Sequence, residues 1–165
     1  MSEAGARPVT EPRIRRLSEA PVAGSPVPRA ELVEWRERFG LVAGITERGA
    51  GDGFSLGFWT AEPVGAVMGR WRAFRDSLRP AFNALQKAHQ VHGTTVLWHE
   101  DVAPGWHVAD AADGHATVQR GLLLTVSVAD CVPIYLTTRD GRAIALLHAG
   151  WRGTAAGILE VGLRR

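Results

Sequence analysis

Three residues of the sequence have side chains that bind metal ions or act as nucleophiles, and each lies at the edge of a β-favouring run. They are His92 in HQVHGTTV, Cys131 in VADCVPIYL and His148 in LLHAGWRG. Both histidines have a glycine close by in sequence, where the backbone can approach a ligand closely. If the three edges converge at one end of a sheet, two imidazoles and one thiolate meet. Such a set suits zinc, with a fourth position left for water or substrate.

The spacing alone is not a zinc signature, because it is neither a CxxC nor an HExxH pattern. Taken singly, each residue has another explanation. His92 is also interpretable as an ordinary interior or surface histidine, and His148 as a strand-terminal side chain bonded to the backbone. Cys131 is the only cysteine, so an intramolecular disulfide is excluded. It is therefore a buried small hydrophobe, a nucleophile or a metal ligand.

The elements that must position these residues lie mostly in the second half of the chain. The run LLHAGWRGTAAGILE, residues 146–160, has an apolar stretch, a glycine-punctuated turn and a helical pattern. This order predicts strand, tight turn and helix, a junction where α/β proteins often place chemistry. The Asp-Gly pair in TRDGR predicts a turn between two antiparallel strands. The predicted strands are TTVLWHE, GLLLTVSVA, VPIYLTT and RAIALLH.

The first half of the chain predicts a leader and two helices. Residues 1–29 are rich in Pro, Ala, Gly and Ser and lack periodicity, which predicts a disordered leader or linker. PRAELVEWRERFG predicts a short helix that Gly40 caps, and LVAGIT predicts a strand. TAEPVGAVMGRWRAFRDSL predicts a longer helix with Thr60 as its N-cap. We therefore expect one α/β (α+β) domain over residues 30–165, with a mixed, mostly antiparallel sheet flanked by helices.

Composition and charge restrict the function classes. The chain has 165 residues, of which 45% are hydrophobic and 22% are charged, as in ordinary soluble domains. No apolar run approaches the roughly 20 residues of a membrane helix, and no signal-peptide pattern is present, so we expect a cytoplasmic protein without a membrane partner. The formal charge of +2 resides in residues 1–30, and the remainder is balanced. We therefore expect no nucleic-acid partner.

Several motifs, taken together and in order, resemble the laccase-domain or multicopper polyphenol oxidoreductase family, whose bacterial members are described as purine nucleoside phosphorylases. The similar segments are HQVHGTTV, ADGHATV, VADCVPIYL and HAGWRGTAAGILE, preceded by GITERG and GRWRAF. The resemblance extends from about Leu41 to Glu160. It implies a layered fold related to the catalytic domain of cytotoxic necrotizing factor.

The resemblance also implies a zinc site whose ligands are His92, Cys131 and His148. The activities it implies are phosphorolysis of adenosine, inosine, guanosine and methylthioadenosine, together with adenosine deamination. Purine nucleosides and inorganic phosphate are the expected partners, and the oligomeric state stays open. The sequence ends 17 residues after His148, whereas family members continue. We therefore expect that the domain lacks its C-terminal part.

Other residues are candidates for proton transfer and for substrate binding. Asp130 and Asp113 are candidate proton shuttles, although either is equally well explained as a structural cap. Arg152, expected just before a helix that begins near Thr154, is a candidate phosphate ligand. The second candidate phosphate ligand is Arg48, in the glycine-rich loop ERGAGDG. The sequence places His115 on the face of Asp113, as a candidate substrate contact.

Three alternative functions remain open. A cysteine hydrolase or deamidase would use Cys131 as nucleophile and His148 as base. A copper phenol oxidase is less well supported, because a multicopper enzyme needs roughly ten histidines and the sequence has six. The third alternative is an inactive fragment or interaction module.

Overall fold

The computed structural model describes residue 14 and residues 16–48, 54–58 and 60–165. Within these residues it contains ten short strands in three separate sheets, together with four helices. The α/β class predicted from the sequence is confirmed. The single, mostly antiparallel sheet is replaced by one antiparallel, one parallel and one mixed sheet.

The first sheet lies near the N-terminus. Its order is β1 (Glu19–Pro21), β2 (Arg29–Leu32) and β3 (Gly44–Thr46), with all neighbours antiparallel. Helix α1 (Val33–Phe39) follows β2 and ends at Gly40, whose φ of 65° is left-handed. Gly40 thus occupies the predicted cap, but the first residues of the predicted helix form β2 instead.

The prediction of a disordered leader over residues 1–29 needs correction where the structure describes that segment. Residues 19–21 pair with residues 30–32, and Val27 is only 1% exposed, within the largest core cluster. The apolar side chain of Val27 finds partners in α2 (Val64–Ser77), which composition alone does not reveal. Residues 1–13 lie outside the described residues.

The second sheet is parallel, and its strand β4 (Ala84–Ala88) precedes the loop that contains His92. The order of this sheet is β6 (Gly105–Ala109), β4 and β8 (Leu122–Leu124). All five residues of β4 are buried, since β4 is the central strand. Helix α2 packs its buried face, Val67, Trp71 and Phe74, in the same core cluster as Leu85 of β4. The residue preceding α2 is Pro63, and no side chain caps the helix, so the predicted Thr60 cap is wrong.

The third sheet contains His148, and Cys131 directly precedes one of its strands. Its order is β5 (Val96–His99), β7 (Gly114–Thr117), β10 (Ile144–Ala149) and β9 (Val132–Thr137). β9 and β10 pair in antiparallel register from Thr137↔Ile144 to Val132↔Ala149, as the Asp-Gly turn predicts. Two short helices, α3 (Trp151–Ala155) and α4 (Ile158–Leu163), follow β10, and Ile158 of α4 packs in a core cluster with Leu147 of β10. Within the described residues no helix combines the length and the apolar character needed to cross a bilayer.

Candidate metal centre

His92, Cys131 and His148 converge on one point in the structure. Their three potential ligand atoms all lie within 4.8 Å of one another. The Sγ atom of Cys131 is 3.9 Å from Nε2 of His92, and the rings of His92 and His148 meet edge to face with centroids 4.8 Å apart. Two ligands of one tetrahedral zinc are separated by about 3.5 Å. A small side-chain adjustment would therefore allow the three residues to bind one metal ion.

The three residues reach this point from different elements. His92 lies in the loop after β4, Cys131 comes directly before β9, and His148 is the penultimate residue of β10. Because β9 and β10 are antiparallel, the residue before β9 and the end of β10 lie at the same sheet edge. The convergence inferred from the sequence pattern is therefore present in the structure.

Asp113 orients His148 within this cluster. Its Oδ1 atom is 2.8 Å from Nδ1 of His148, and the carboxyl group is completely buried. Since an ionised carboxylate only accepts hydrogen bonds, Nδ1 of His148 donates to Asp113, and in the neutral imidazole Nε2 then has its lone pair free for a metal. Metal-binding histidines commonly have such a carboxylate behind the ring. This contact supports a ligand role for His148.

The same carboxylate also fixes the loop that carries His92. It accepts hydrogen bonds from the backbone N–H groups of Val91, His92 and Gly93, at 3.2, 2.9 and 2.7 Å. Burial alone would raise the pKa of Asp113, but the hydrogen bonds from His148 and from the three backbone groups hold that pKa below its ordinary value. Asp113 is therefore a buried carboxylate that positions two of the three candidate ligands. The sequence left a proton shuttle and a structural cap equally open for Asp113, and these hydrogen bonds favour the structural role.

Two glycines, Gly150 and Gly153, allow the His92 loop to pack closely against the segment that follows β10. A Cβ atom on Gly150 would lie 2.8 Å from Cδ2 of His92 and 3.2 Å from Sγ of Cys131. A Cβ atom on Gly153 would lie 2.7 Å from the carbonyl oxygen of Gly93. The distances of 2.8 Å and 2.7 Å are too short for a Cβ atom, so the two glycines of HAGWRG leave the space that His92 and its loop occupy. His92 itself has a left-handed φ of 61°, which the hydrogen bond to Asp113 supports.

A cavity of about 1000 Å³ opens beside the cluster, and all three candidate ligands line it. His148 is 2% exposed, whereas Cys131 is half-buried and His92 is exposed. Asp130 and Arg48 are both exposed and line the same cavity. The cavity is large enough for a small organic ligand. Two of the predicted site residues are thus on the cavity wall with the cluster.

Arg152 does not line this cavity. The helix begins at Trp151, not near Thr154 as the sequence predicts, so Arg152 lies within α3 and not in the turn before it. Its guanidinium carbon lies 5.2 Å from the ring centroid of Trp151, and both residues are exposed. The structure therefore gives no support to Arg152 as a phosphate ligand.

His115 is also outside the cavity. It is 1% exposed, and its Nδ1 atom is 2.9 Å from Nε2 of His99. Burial lowers the pKa of His115 to about 3, and the charges of His99 and Lys87 act in the same direction, against the opposing effect of Asp113. His115 is thus a neutral, buried histidine paired with a second histidine, and the predicted substrate contact is not seen.

Two hydrogen bonds between Gln90 and Ser127, which the sequence did not predict, join the segments that contain His92 and Cys131. The side chain of Gln90 donates to the carbonyl oxygen of Ser127 at 2.7 Å and accepts from its N–H group at 2.6 Å. Gln90 precedes His92 by two residues, and Ser127 precedes Cys131 by four. The polar Gln90 inside HQVHG was the available signal, because a side-chain amide can pair with both backbone groups of one residue.

Comparisons with known proteins identify relatives of this chain. A family model described as multi-copper polyphenol oxidoreductase laccase matches residues 40–165. A protein of Corynebacterium glutamicum named purine nucleoside phosphorylase is 32% identical over 124 residues, which are 75% of this chain and 50% of the relative. The purine nucleoside phosphorylase YlmD of Geobacillus stearothermophilus is 31% identical over 131 residues, covering 72% of this chain and 48% of the relative. The chain thus spans about half the length of these curated relatives.

Solved structures show the same fold. The crystal structure of YlmD from Geobacillus stearothermophilus matches with a TM-score of 0.68 at 27% identity, over 82% of this chain and 54% of that one. The crystal structure of the Bacillus licheniformis protein YfiH matches with a TM-score of 0.73 at 24% identity, over 87% of this chain and 57% of that one. Both matches support the architecture described above.

Proposed function

The chain belongs to the multi-copper polyphenol oxidoreductase laccase family, and we propose that it is a zinc-dependent purine nucleoside enzyme. The proposed reactions are phosphorolysis of adenosine, inosine, guanosine and methylthioadenosine, and deamination of adenosine. The observation that carries the proposal is the convergence of His92, Cys131 and His148 beside a large cavity. The names of the relatives as purine nucleoside phosphorylases support the substrate class.

The donor set favours zinc over copper chemistry. Two imidazoles and one thiolate with a solvent-facing side are typical of catalytic zinc, which, when bound, supplies Lewis acidity and lowers the pKa of coordinated water to about 7. Asp113 holds the lone pair of Nε2 of His148 towards the cluster. A multicopper oxidase needs roughly ten histidines for its copper ions, and the whole sequence has six. Phenol oxidation is therefore the weaker hypothesis.

Phosphorolysis requires that phosphate be held near the ribose. In this step a phosphate oxygen bonds to the anomeric carbon, the bond from that carbon to the purine nitrogen breaks, and the departing purine takes up a proton. Arg48 lines the cavity and is the cation among the predicted site residues that can reach a ligand there. Asp130, beside Cys131, is the proposed proton carrier. Within the same cavity, deamination would add water at C6 of adenosine and release ammonia.

Product analysis tests this proposal directly. The purified chain, with one equivalent of zinc, is incubated with adenosine with and without phosphate, and the products are separated by chromatography. Adenine and ribose 1-phosphate that form only with phosphate support phosphorolysis, and inosine supports deamination. We expect His148→Ala to abolish both, and Arg139→Gln, an exposed change outside the cavity lining, to leave both unchanged. Absence of turnover in the zinc-loaded chain would contradict the proposal and favour an inactive fragment.

A second candidate function is a cysteine hydrolase or deamidase. It is favoured by the pairing of His148 with buried Asp113, because a carboxylate often orients the base of a cysteine nucleophile. Metal analysis separates the two hypotheses. One zinc per chain, lost in His92→Asn, supports the metal centre, since a Cys131–His148 pair needs no third ligand. Zinc-free protein that is rapidly alkylated at Cys131 and turns over an amide substrate would support the hydrolase.

A further inference from the structure

Lys87 is the only lysine in the sequence, and the other 18 basic residues are arginines. It is the fourth of the five residues of β4 and is only 1% exposed, and it is the largest fully buried side chain of the described residues. A fully buried lysine is rare because its charge loses the solvation of water. None of the reactions proposed above uses this ammonium group.

The charge of Lys87 has no anionic partner among the described residues. Its Nζ atom donates to Oγ of Ser127 at 2.5 Å and lies 5.5 and 5.3 Å from the ring centroids of Phe58 and Trp71. No ion pair joins Lys87 to a carboxylate of the described residues within 4 Å. An ammonium group has three N–H donors, and Ser127 accounts for one of them.

A small cavity of about 310 Å³ adjoins this ammonium group. Among the described residues its lining consists of Gly57, Lys87, Ala88, His89, Gln90 and Ser127, and these include no carboxylate. Gln90 fixes Ser127 through both of its backbone groups, so the hydroxyl of Ser127 is held beside Lys87. The polar part of this wall thus contains one ammonium group and the hydroxyl group of Ser127, together with the imidazole of His89 and the amide of Gln90. This combination is complementary to a small anion.

We propose that Lys87 and Ser127 bind a small tetrahedral oxyanion in this cavity, that Gln90 positions Ser127 for this contact, and that inorganic phosphate is the oxyanion. The assignment of phosphate as a reactant rests on the proposed function. Lysine binds phosphate as a compact point charge in other sites. The buried ammonium of Lys87 gains the anionic partner that the described residues do not supply.

The position of this subsite fits delivery of phosphate to the candidate metal centre. Gly57, Gln90 and Ser127 line both the small cavity and the large cavity, which also contains His92, Cys131 and His148. The segment that carries Lys87 continues to His92, five residues later, and the segment that carries Ser127 continues to Cys131. Five residues of extended chain span at most about 17 Å. The subsite is therefore adjacent to the cluster in sequence and in space.

A nuclear magnetic resonance titration tests binding without any need for turnover. Because Lys87 is the only lysine, the chain grown on lysine with ¹⁵N at Nζ gives a single lysine side-chain signal. Burial lowers the pKa of Lys87 to about 8, whereas His115, the neighbouring histidine whose charge interacts with it, has a pKa of about 3. A bound anion favours the ammonium form. We expect inorganic phosphate to shift the signal saturably and to raise the apparent pKa of Lys87.

Sodium chloride at the same ionic strength controls for the general screening of charges by salt. Sulfate, a second tetrahedral oxyanion, tests whether the subsite recognises this shape. Saturation with phosphate and competition by sulfate, with no saturable shift in chloride, support the subsite. A linear shift that chloride reproduces would overturn it. The control for a direct contact is Ser127→Ala, which removes one donor but keeps the backbone bonds to Gln90. We expect it to weaken phosphate binding by about 10-fold, as one charge-assisted hydrogen bond is lost.

Kinetics then separate this inference from the proposed function. Lys87→Met keeps the length of the side chain and its apolar contacts, and Arg139→Gln is the matched control that removes an exposed charge. We expect Lys87→Met to raise the KM for phosphate by about 10-fold or more, with zinc content, the KM for the nucleoside and phosphate-independent deamination unchanged. An unchanged KM for phosphate would overturn the role of Lys87. If the unmodified chain shows no turnover, the proposed function fails, and the titration alone decides whether the oxyanion subsite exists.

Discussion

Asp113 connects two candidate ligands through one carboxylate. It accepts a hydrogen bond from the ring of His148 and three from the loop of His92. Both ligands therefore depend on a residue that does not line the cavity. The effect of changing Asp113 should be on the geometry of the cluster and not on a proton transferred to substrate.

The variant Asp113→Asn tests this positioning role. An asparagine has one oxygen acceptor in place of two and directs an amide N–H₂ group towards donors, so it leaves buried polar groups unpaired. We expect zinc affinity to fall by about 10- to 100-fold and the free energy of unfolding to fall by about 2–4 kcal/mol. Chelator competition and urea denaturation measure the two effects. Asp110→Asn, an exposed change in the same loop, is the control, and equal zinc affinity in both variants would contradict the role.

The buried histidine pair predicts a pH dependence of stability. Because burial lowers the pKa of His115 from 6.5 to about 3, the folded protein keeps this ring neutral at pH values where the unfolded chain is protonated. The unfolded chain then binds more protons, so stability is complete above pH 6.5 and falls as the pH drops towards 3. Between pH 7 and pH 5 the loss is about 2 kcal/mol for one such group.

Urea denaturation at these two pH values measures the loss. In His115→Gln we expect the difference in unfolding free energy between pH 7 and pH 5 to shrink by about 2 kcal/mol. Arg139→Gln, which changes an exposed residue outside the histidine pair, should leave the difference unchanged. An undiminished pH dependence in His115→Gln would show that other groups cause it.

At the scale of elements, β7 has room only for glycine at its first position. A Cβ atom on Gly114 would lie 2.8 Å from Cδ2 of Leu147 and 2.9 Å from Cγ2 of Val96, both of which are buried core atoms. We expect Gly114→Ala to destabilise the protein by about 1–3 kcal/mol through overpacking. In helix α2, no heavy atom lies within 4 Å of a Cβ atom on Gly69. Gly69→Ala should therefore stabilise the protein by about 0.5–1 kcal/mol.

Denaturant midpoints of the two alanine variants provide the measurement. Both variants replace glycine by alanine, and only the surroundings of the two positions differ. We therefore expect the two changes in unfolding free energy to have opposite signs. Destabilisation of similar size in both would mean that packing around Gly114 is not the cause.

The elements that could be predicted are those with a clear periodicity or turn. The apolar spacing in α2 predicts its buried face, and Asp-Gly predicts the hairpin of β9 and β10. Strand β4 was missed because ALQKA contains a lysine and a glutamine, and yet all five residues are buried. Burial on both faces of a central strand removes the alternation on which strand prediction depends. The division of the strands into three sheets also cannot be predicted from short apolar runs in the sequence, because tertiary contacts determine which strands pair.

The candidate site could likewise be predicted only in part from the sequence. The ligand types and the motif order were visible in the sequence, so the three metal-ligand candidates could be grouped. The roles of Asp113 and Gln90 could not be assigned, because each depends on a contact between segments more than 20 residues apart in sequence. Arg152 and His115 were expected in the site and lie elsewhere, since neither a helix start nor a strand face fixes the direction of a side chain relative to a cavity.

At the scale of the whole molecule, the candidate metal centre joins two sheets. His92 follows β4 of the parallel sheet, whereas Cys131 directly precedes β9 and His148 lies in β10 of the mixed sheet. A metal bound by all three would connect elements that are separate in hydrogen bonding. Binding should therefore oppose global unfolding and not only order one loop.

Zinc should raise the melting temperature of the chain for this reason. A ligand at 100 times its Kd stabilises the folded state by about 2.7 kcal/mol, which corresponds to a rise in Tm of about 5–10 °C for a domain of this size. Scanning calorimetry with zinc, and again after removal by a chelator, measures the change. The control is His92→Asn, because asparagine tolerates the left-handed φ of 61° at this position and removes the imidazole without new backbone strain. An equal rise in Tm in this variant would mean that zinc acts elsewhere, and the two sheets would then not be joined through His92.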